Sequence, residues 1–472
     1  VKSRRLIAAV GALAGGWLLS IPAGASAHGI SAKADLPIPA WLFAWAATIV
    51  LLVSFAALAV LWQKPKLAFT GERDLFRLGS WTDVVLGTVG VVWFGLVVWA
   101  GLTGTFVATA NLAPTAVWVL FWVGMPIASA LFGDVFRLLS PWRATARAVG
   151  WVLTRVISDG LPEPKQWPVR LGRLPAAIGL LAMGWLELAS VSRDDPSVLA
   201  TLALAYAAIQ LLGMSAFGVE QWSVRGDSFG VAFSLISKIA PFERVNGVLR
   251  MRVPLSGLAR LQEVPWTQAV LLVLIGTTSF DGFTQGPIWA DGSQTMINWF
   301  NGTLGIGTTE AAQGASTIGL LGGIGLVSAI WLAGVHFSAR DLGQPTREVG
   351  RAFVQVLVPI ALAYTVAHYA SFFLVQGQAL FYLVSDPAGT GADWFGTAQV
   401  AVDYGVISPN GVWWVQVAAL VAGHVCALVL AHDRALEMAD DQTVATRSQI
   451  PMLIATVAFT TLGLWLLSAA NL

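Results

Sequence analysis

The strongest constraint in this chain is a repeated one: stretch after stretch of about twenty residues passes with almost no charge. A helix rises 1.5 Å per residue, so each such stretch matches the ~30 Å hydrocarbon core of a bilayer. Runs of this kind fall at roughly 41–62, 84–103, 114–132, 175–192, 197–217, 266–285, 314–336, 352–375, 411–431 and 450–469. They are continuous runs of Leu, Ala, Val and Gly, without the alternation of polar and apolar positions that a membrane barrel requires. Only 11% of the 472 residues are charged, against ~25% in a soluble domain. A water-soluble surface is thereby excluded. The expected fold is all-α, a polytopic integral membrane protein with about ten transmembrane helices forming a single domain over 28–472. The 48 glycines suit close helix contacts in lipid, where small side chains let backbones approach. A net charge of +1 supplies no global field for nucleic acid. Cys426 is the one cysteine, which rules out an internal disulfide framework.

The first residues read as a secretory signal. Lys2, Arg4 and Arg5 precede an apolar stretch from Leu6 to Ile21, and Ala25-Ser26-Ala27 supplies the small residues of a cleavage site. Residues 1–27 are then a signal peptide, and His28 begins the mature chain outside the cell membrane; an uncleaved anchor is the alternative. With that end outside, every second connection lies inside. Apart from the three in the leader and from Lys33 and Arg193, all of the 27 Lys and Arg residues fall on the inner side, as the positive-inside rule requires. The C-terminus is outside as well. Among the inner segments 133–174 and 218–265, the stretches Ala144–Ser158 and Phe229–Ile239 are periodic enough to lie as helices along the headgroups. Outer segments 286–313 and 376–410 contain Trp289, Trp299, Tyr382, Trp394 and Tyr404 but no Lys or Arg, and are expected to form aromatic-anchored lids.

An ionisable group inside a span costs ~2.5–3.5 kcal/mol or more, so each one needs a reason. Counting along their helices, Glu187, Asp281 and His368 lie about 18, 23 and 24 Å from the inner ends of their spans, at one level in the outer half. Two carboxylates and an imidazole at one level can hold a divalent metal or serve as general acid and base. The alternative for Glu187 and His368 is a structural hydrogen bond, and for Asp281 an interfacial cap. Asp281 sits among Thr277, Thr278, Ser279 and Gly282, while Tyr364, His368 and Ser371 form a polar stripe on one helix. His28 joins His368 and Asp281 as a candidate ligand for copper or zinc, because a mature N-terminal histidine offers both an amine and an imidazole. His424 is a candidate haem ligand in the inner half. His336 and His432 fall at inner span ends suited to solvated pairing.

Several stretches carry a resemblance. His28-Gly29, the run from Ala34 through Pro37, Pro39 and Trp41 to Trp45, and Val53-Ser54-Phe55 are similar to the start of bacterial membrane proteins known as fenitrothion hydrolases. So are Ser140-Pro141-Trp142-Arg143, Ser279-Phe280-Asp281-Gly282-Phe283, Gly423-His424-Val425 and Ala431 through Leu436. The resemblance runs the full length. It implies cleavage of an organophosphate P–O aryl ester, a small apolar substrate that collects in the lipid bilayer, with release of a nitrophenol. Asp281, His368 and Glu187 are the residues that would carry such chemistry, as general base or as metal ligands. The chain lacks the clustered histidines of a two-metal phosphotriesterase. The competing reading is a membrane transporter or copper-handling protein without hydrolase activity.

Overall fold

A backbone in hydrocarbon must satisfy its own hydrogen bonds, and every apolar run folds accordingly into helix. The computed structural model describes residues 40–157 and 162–469; residues 1–27, expected to be a signal peptide, and His28 lie outside the described residues. In chain order the principal elements are α1 (Ala40–Leu61), β1 (Glu72–Arg77), α2 (Trp81–Thr103), α3 (Leu112–Phe132), α4 (Pro141–Val156), α5 (Leu174–Leu188), α6 (Pro196–Phe217) and α7 (Ser228–Ile236). They continue with β2 (Phe242–Val245), β3 (Val248–Arg252), α8 (Thr267–Thr284), α9 (Pro287–Leu304), α10 (Thr308–Leu342), α11 (Leu357–Gln376), α12 (Pro409–Met438) and α13 (Ile450–Ala469).

Among the described residues seven helical stretches are long and apolar enough to cross a membrane: α2, α3, α6, α10, α12, Val354–Leu383 around α11, and Gln442–Ser468 around α13. Helices also occupy the other three predicted runs: α1 is 22 uncharged residues long, α5 is a shorter apolar helix, Leu174–Leu188, and the second half of α8 carries Thr277, Thr278, Ser279 and Asp281. The stretch around α11 is the most enclosed of the seven, 67% buried against 50% or less for the others. It forms the centre of the bundle and carries His368.

Close backbone approaches set the helix contacts. Gly423 of α12 lies so near α11 that an added Cβ would stand 2.3 Å from the Ala363 Cβ and 2.8 Å from the Pro359 carbonyl. Gly184 of α5 does the same with α8, its missing Cβ falling 2.7 Å from the Thr277 side chain. Without a hydrophobic drive between helices in lipid, such packing is the main source of association.

Two expectations need correction. The stretch 229–239 does not lie on the headgroups: α7 is buried, with Phe229 and Phe233 meeting Phe121 edge-on at 4.7 and 5.4 Å. Its periodicity reflects a face packed on α3 and α5. The expected lid at 286–313 is mostly the helix α9, packed on α10, with Trp289 set edge-on to Phe280 at 4.9 Å. The all-α expectation holds, with one small sheet beside the helices. A three-stranded antiparallel sheet, ordered β1-β3-β2, joins residues 72–77 to the hairpin 242–252. Asn246-Gly247, with φ of 50° and 81°, makes the two-residue turn for which this pair is the usual choice.

The sheet belongs to a wider assembly of basic segments. Arg244 bonds Asp83 at 2.8 Å, and Arg143 bonds Glu220 at 2.8 Å. Asp433 accepts from the Lys66 and Leu67 backbone N–H at 2.6 and 3.1 Å, while Arg447 lies 3.6 Å from Asp341. These contacts gather segments 63–83, 137–147, 220–252 and 432–449 at one end of the bundle. At the other end Thr105 N–H donates to the Ala388 carbonyl at 2.8 Å, and Tyr382 donates to Thr109 at 2.8 Å. The C-terminal half of α4, from Val149 to Val156, is almost wholly exposed, as an interfacial helix would be.

Two outcomes follow from this packing. Gly423→Leu should lower stability in detergent by about 3 kcal/mol through overpacking. Gly322→Leu, whose Cβ would meet open space, should leave the unfolding temperature within a degree or two; equal losses would refute the close contact. At the sheet, burial opposes ionisation of Glu243, but Lys238 at 2.7 Å and Arg252 at 2.9 Å outweigh it and hold the carboxyl below its ordinary value of 4.5. A lowered carboxyl contributes stability that is complete above the ordinary value and fades as the pH falls through the lowered one. Glu243→Gln should therefore cost about 2 kcal/mol at pH 7, with the gap to wild type closing on acidification toward pH 3 in thermal unfolding scans.

Candidate functional site

Three helices bring the predicted titratable groups together. Glu187 is the last but one residue of α5, Asp281 lies one turn before the end of α8, and His368 sits midway along α11. α5 and α8 run in the same direction and touch at Gly184 and Thr277, which sets their carboxylates side by side. Asp281, four residues after Thr277, points along the same helix face.

The link between the carboxylates is Tyr369. Its hydroxyl lies 2.7 Å from Asp281 Oδ2 and 3.0 Å from Glu187 Oε1. His368 Nε2 stands 2.9 Å from the same Asp281 Oδ2. On the far side, the Trp122 indole N–H donates to Glu187 Oε2 at 3.1 Å. Glu187, Asp281 and Tyr369 are all buried, whereas the His368 side chain keeps 12% of its surface. The result is one hydrogen-bonded line: His368, Asp281, Tyr369, Glu187, Trp122.

The local sequence explains each placement. Trp122 belongs to a ten-residue π-helical stretch, Thr115–Gly124, within α3, and such widened turns recur at functional sites. Trp118, one turn earlier, donates to the Arg193 carbonyl at 3.0 Å. Arg193 in turn reaches the Glu187 carbonyl at 3.3 Å, so the turn after α5 is tied to both ends of that stretch. His368 and Tyr369 are neighbours on α11 whose rings meet edge-on, centroids 4.6 Å apart.

Proton counting shows what the arrangement can do. A phenol has one hydrogen, yet the Tyr369 oxygen is within bonding distance of two carboxyl groups. Satisfying both contacts requires a second proton, carried by Glu187 or Asp281. With both bonds made, the hydroxyl donates to one acid and accepts from the other, an arrangement through which a proton can pass between the two acids without any side chain swinging.

His368 lines a void of about 20 Å³ together with Thr278, Tyr364 and Gly463, room for one water molecule. Beyond it Tyr364 donates to the Phe459 carbonyl at 2.6 Å. His424, fully buried with its ring 6.2 Å from Tyr364, uses Nδ1 on the Leu420 carbonyl at 2.6 Å. His432, expected in a solvated pair, is instead fully buried: its nitrogens lie 2.9 Å from Gln449 Oε1 and 2.7 Å from the Trp62 carbonyl. It latches the chain after α1 onto α12.

The structure thus brings Glu187, Asp281 and His368 to one site. Asp281 and His368 supply two donor groups in contact, and His28, the further ligand expected for copper or zinc, lies outside the described residues. Among the described residues no three His, Cys, Asp or Glu side chains converge as a metal cage. Tyr369 and Trp122 were missed by sequence reasoning. A phenol beside a histidine inside an apolar span was the available signal for Tyr369; nothing in the local sequence announces the π-helical turn that aims Trp122. Comparisons with protein families, with curated proteins and with solved structures find no match to this chain.

If Tyr369 is the shared donor, its removal is coupled to its acids. Tyr369→Phe should destabilise the detergent-solubilised protein by about 2 kcal/mol, whereas Tyr364→Phe, losing one neutral bond, should cost about 1. In a double-mutant cycle of thermal unfolding, Glu187→Gln should cost less in the Tyr369→Phe background than in wild type, a coupling above about 0.5 kcal/mol. Strict additivity would dissolve the network.

Proposed function

We propose that this chain is a proton-translocating membrane protein of the transporter class, with His368, Asp281, Tyr369 and Glu187 as part of its proton path. The observation that carries the reading is the unbroken line of hydrogen bonds, none longer than 3.0 Å, from His368 to Glu187 across three helices. Ionisable groups are expensive in a membrane and mark proton relays and substrate paths where they occur. Here they are bonded to one another through a phenol, a group that can both donate and accept a proton.

In this reading the chain crosses the cell membrane ten times, with α1, α5 and α8 joining the seven longer helices. The end gathering the basic segments faces inward, and both termini face outward. In that orientation Glu187, Asp281 and His368 lie at one level in the outer half of the membrane. His368, with its residual exposure and its water-sized void, is where protons reach the line from within the bundle; Glu187, below the Arg193 turn, is where they leave or arrive on the outer side.

A second reading rests on the pair His368 and Asp281. An imidazole held by a carboxylate beside a space for one water is a general-base arrangement, and it would serve the organophosphate hydrolysis that the sequence resemblance implies. An aryl phosphate ester needs a pocket of several hundred Å³, so this reading requires α8, α11 and α13 to part at the void.

One set of variants separates the two. In liposomes carrying an internal pH dye and an imposed membrane potential, the wild-type protein should move protons at least about tenfold faster than empty vesicles. Asp281→Asn and Tyr369→Phe should fall to the background while Tyr364→Phe does not. Equal flux in wild type and Asp281→Asn would overturn the proton path. Nitrophenol release from fenitrothion by wild type, lost in Asp281→Asn and His368→Ala without any proton flux in wild type, would put the hydrolase in its place.

A further inference from the structure

A second cavity lies away from the acid site. It is an open groove of about 580 Å³ between α10 and α13. Ile330, Ala333 and Phe337 form one wall, and Pro451, Ile454 and Ala458 the other. Both helices are spanning segments, so the groove opens sideways toward lipid. The helices touch along its floor, where an added Cβ on Gly334 would lie 3.1 Å from the Ala455 Cβ.

Its two ends differ in chemistry. From Ile330 to Ala458 the walls are apolar, but at the end gathering the basic segments the groove finishes on Arg340 and Asp341. Asp341 is drawn to Arg447, 3.6 Å away, which leaves the exposed Arg340 as the charge presented to an occupant. The distance along α10 from Ile330 to Arg340 is ten residues, or about 15 Å. That is half of the ~30 Å hydrocarbon core, the depth of one leaflet.

We infer that this groove is a binding site for an anionic phospholipid, with an acyl chain along the walls and the phosphate on Arg340. Three independent features meet in it: an apolar channel one leaflet deep, a lateral opening to the bilayer, and a cation at the headgroup level with its nearest acid already engaged. A small water-soluble anion would use the arginine and leave the channel empty. A partner helix would need no charge at the end. Basic sites between spanning helices at the cytoplasmic surface are where anionic headgroups are held, and the orientation proposed above puts Arg340 there, although the geometry of the groove does not depend on the proton path.

Native mass spectrometry of the full chain in mild detergent, titrated with phosphatidylglycerol and phosphatidylethanolamine, tests this. Wild type should retain phosphatidylglycerol about fivefold more strongly than phosphatidylethanolamine, the contribution of one arginine near a charged surface. Arg340→Gln should abolish that preference. Ala333→Phe, which fills the groove from an exposed position, should reduce retention of both lipids. Equal retention of the two lipids by wild type would overturn the headgroup assignment, and unchanged retention by Ala333→Phe would overturn the groove as the site. A dimer in wild type that Ala333→Phe disperses would show that a second copy occupies the groove instead, and would overturn the proposal as well. None of these outcomes depends on proton flux, so they leave the acid site to its own test.

Discussion

A titratable side chain in hydrocarbon survives only when neighbouring helices supply what water no longer does. The cost on insertion is several kcal/mol, and no single helix can offset it for Glu187 or Asp281, because a helix's own backbone donors are consumed in its ladder. The donors come instead from α3 and α11: the indole of Trp122 and the hydroxyl of Tyr369. The site is therefore also a clamp. α3, α5, α8 and α11 cannot separate at this level without exposing unpaired acid groups to lipid, and the close contact of Gly184 with Thr277 is what brings the acids within reach of one phenol.

The opposite end of the bundle is held by different physics. There the connections are polar and solvated, so ion pairs and strand pairing do the work that side-chain interdigitation does within lipid. β1 pairs with β3 across more than 170 residues of sequence, and the adjoining ion pairs tie α2, α4 and the hairpin together. Individually, exposed pairs of this kind contribute little. Their effect lies in number and in the buried Arg143 and Arg252, which tie the loops to the helices they join.

The sequence made much of this legible, and the gaps have physical causes. Hydropathy placed the seven long apolar helices, because the requirement for about twenty apolar residues is local and strong. Depth counting placed Glu187, Asp281 and His368 at one level, because a helix converts residue number into distance. It said nothing of lateral position, which depends on which helices are neighbours. Tyr369 escaped notice for that reason: its role exists only between α5 and α8. β1 was invisible because Glu72-Arg73-Asp74 reads as a loop and pairs with a strand far along the chain, although Asn246-Gly247 between Val245 and Val248 was a local hairpin signal. The periodicity of 229–239 was correctly helical; whether its apolar face meets lipid or protein is not a property of the segment.

What separates the acid site from the other buried acids is the freedom of its proton. Asp433 accepts from the Trp62 indole and from two backbone N–H groups. None of these donors gives up its hydrogen, so the carboxyl group is a fixed acceptor that anchors the chain after α1. Asp227 accepts from the Trp142 indole, the Gly230 N–H and the Tyr206 hydroxyl. Tyr206 in turn accepts from the Ser228 N–H at 3.0 Å, which commits its hydrogen to Asp227 and locks the phenol in one direction. Tyr369 has no such orienting N–H in its contacts: both of its partners are carboxyl groups, and either can be the one that donates. The same residue type beside the same chemistry is thus a rigid strut on α6 and a two-way link on α11. That difference, set by one backbone donor, is the physical ground on which we propose proton movement at the second site and a purely structural role at the first.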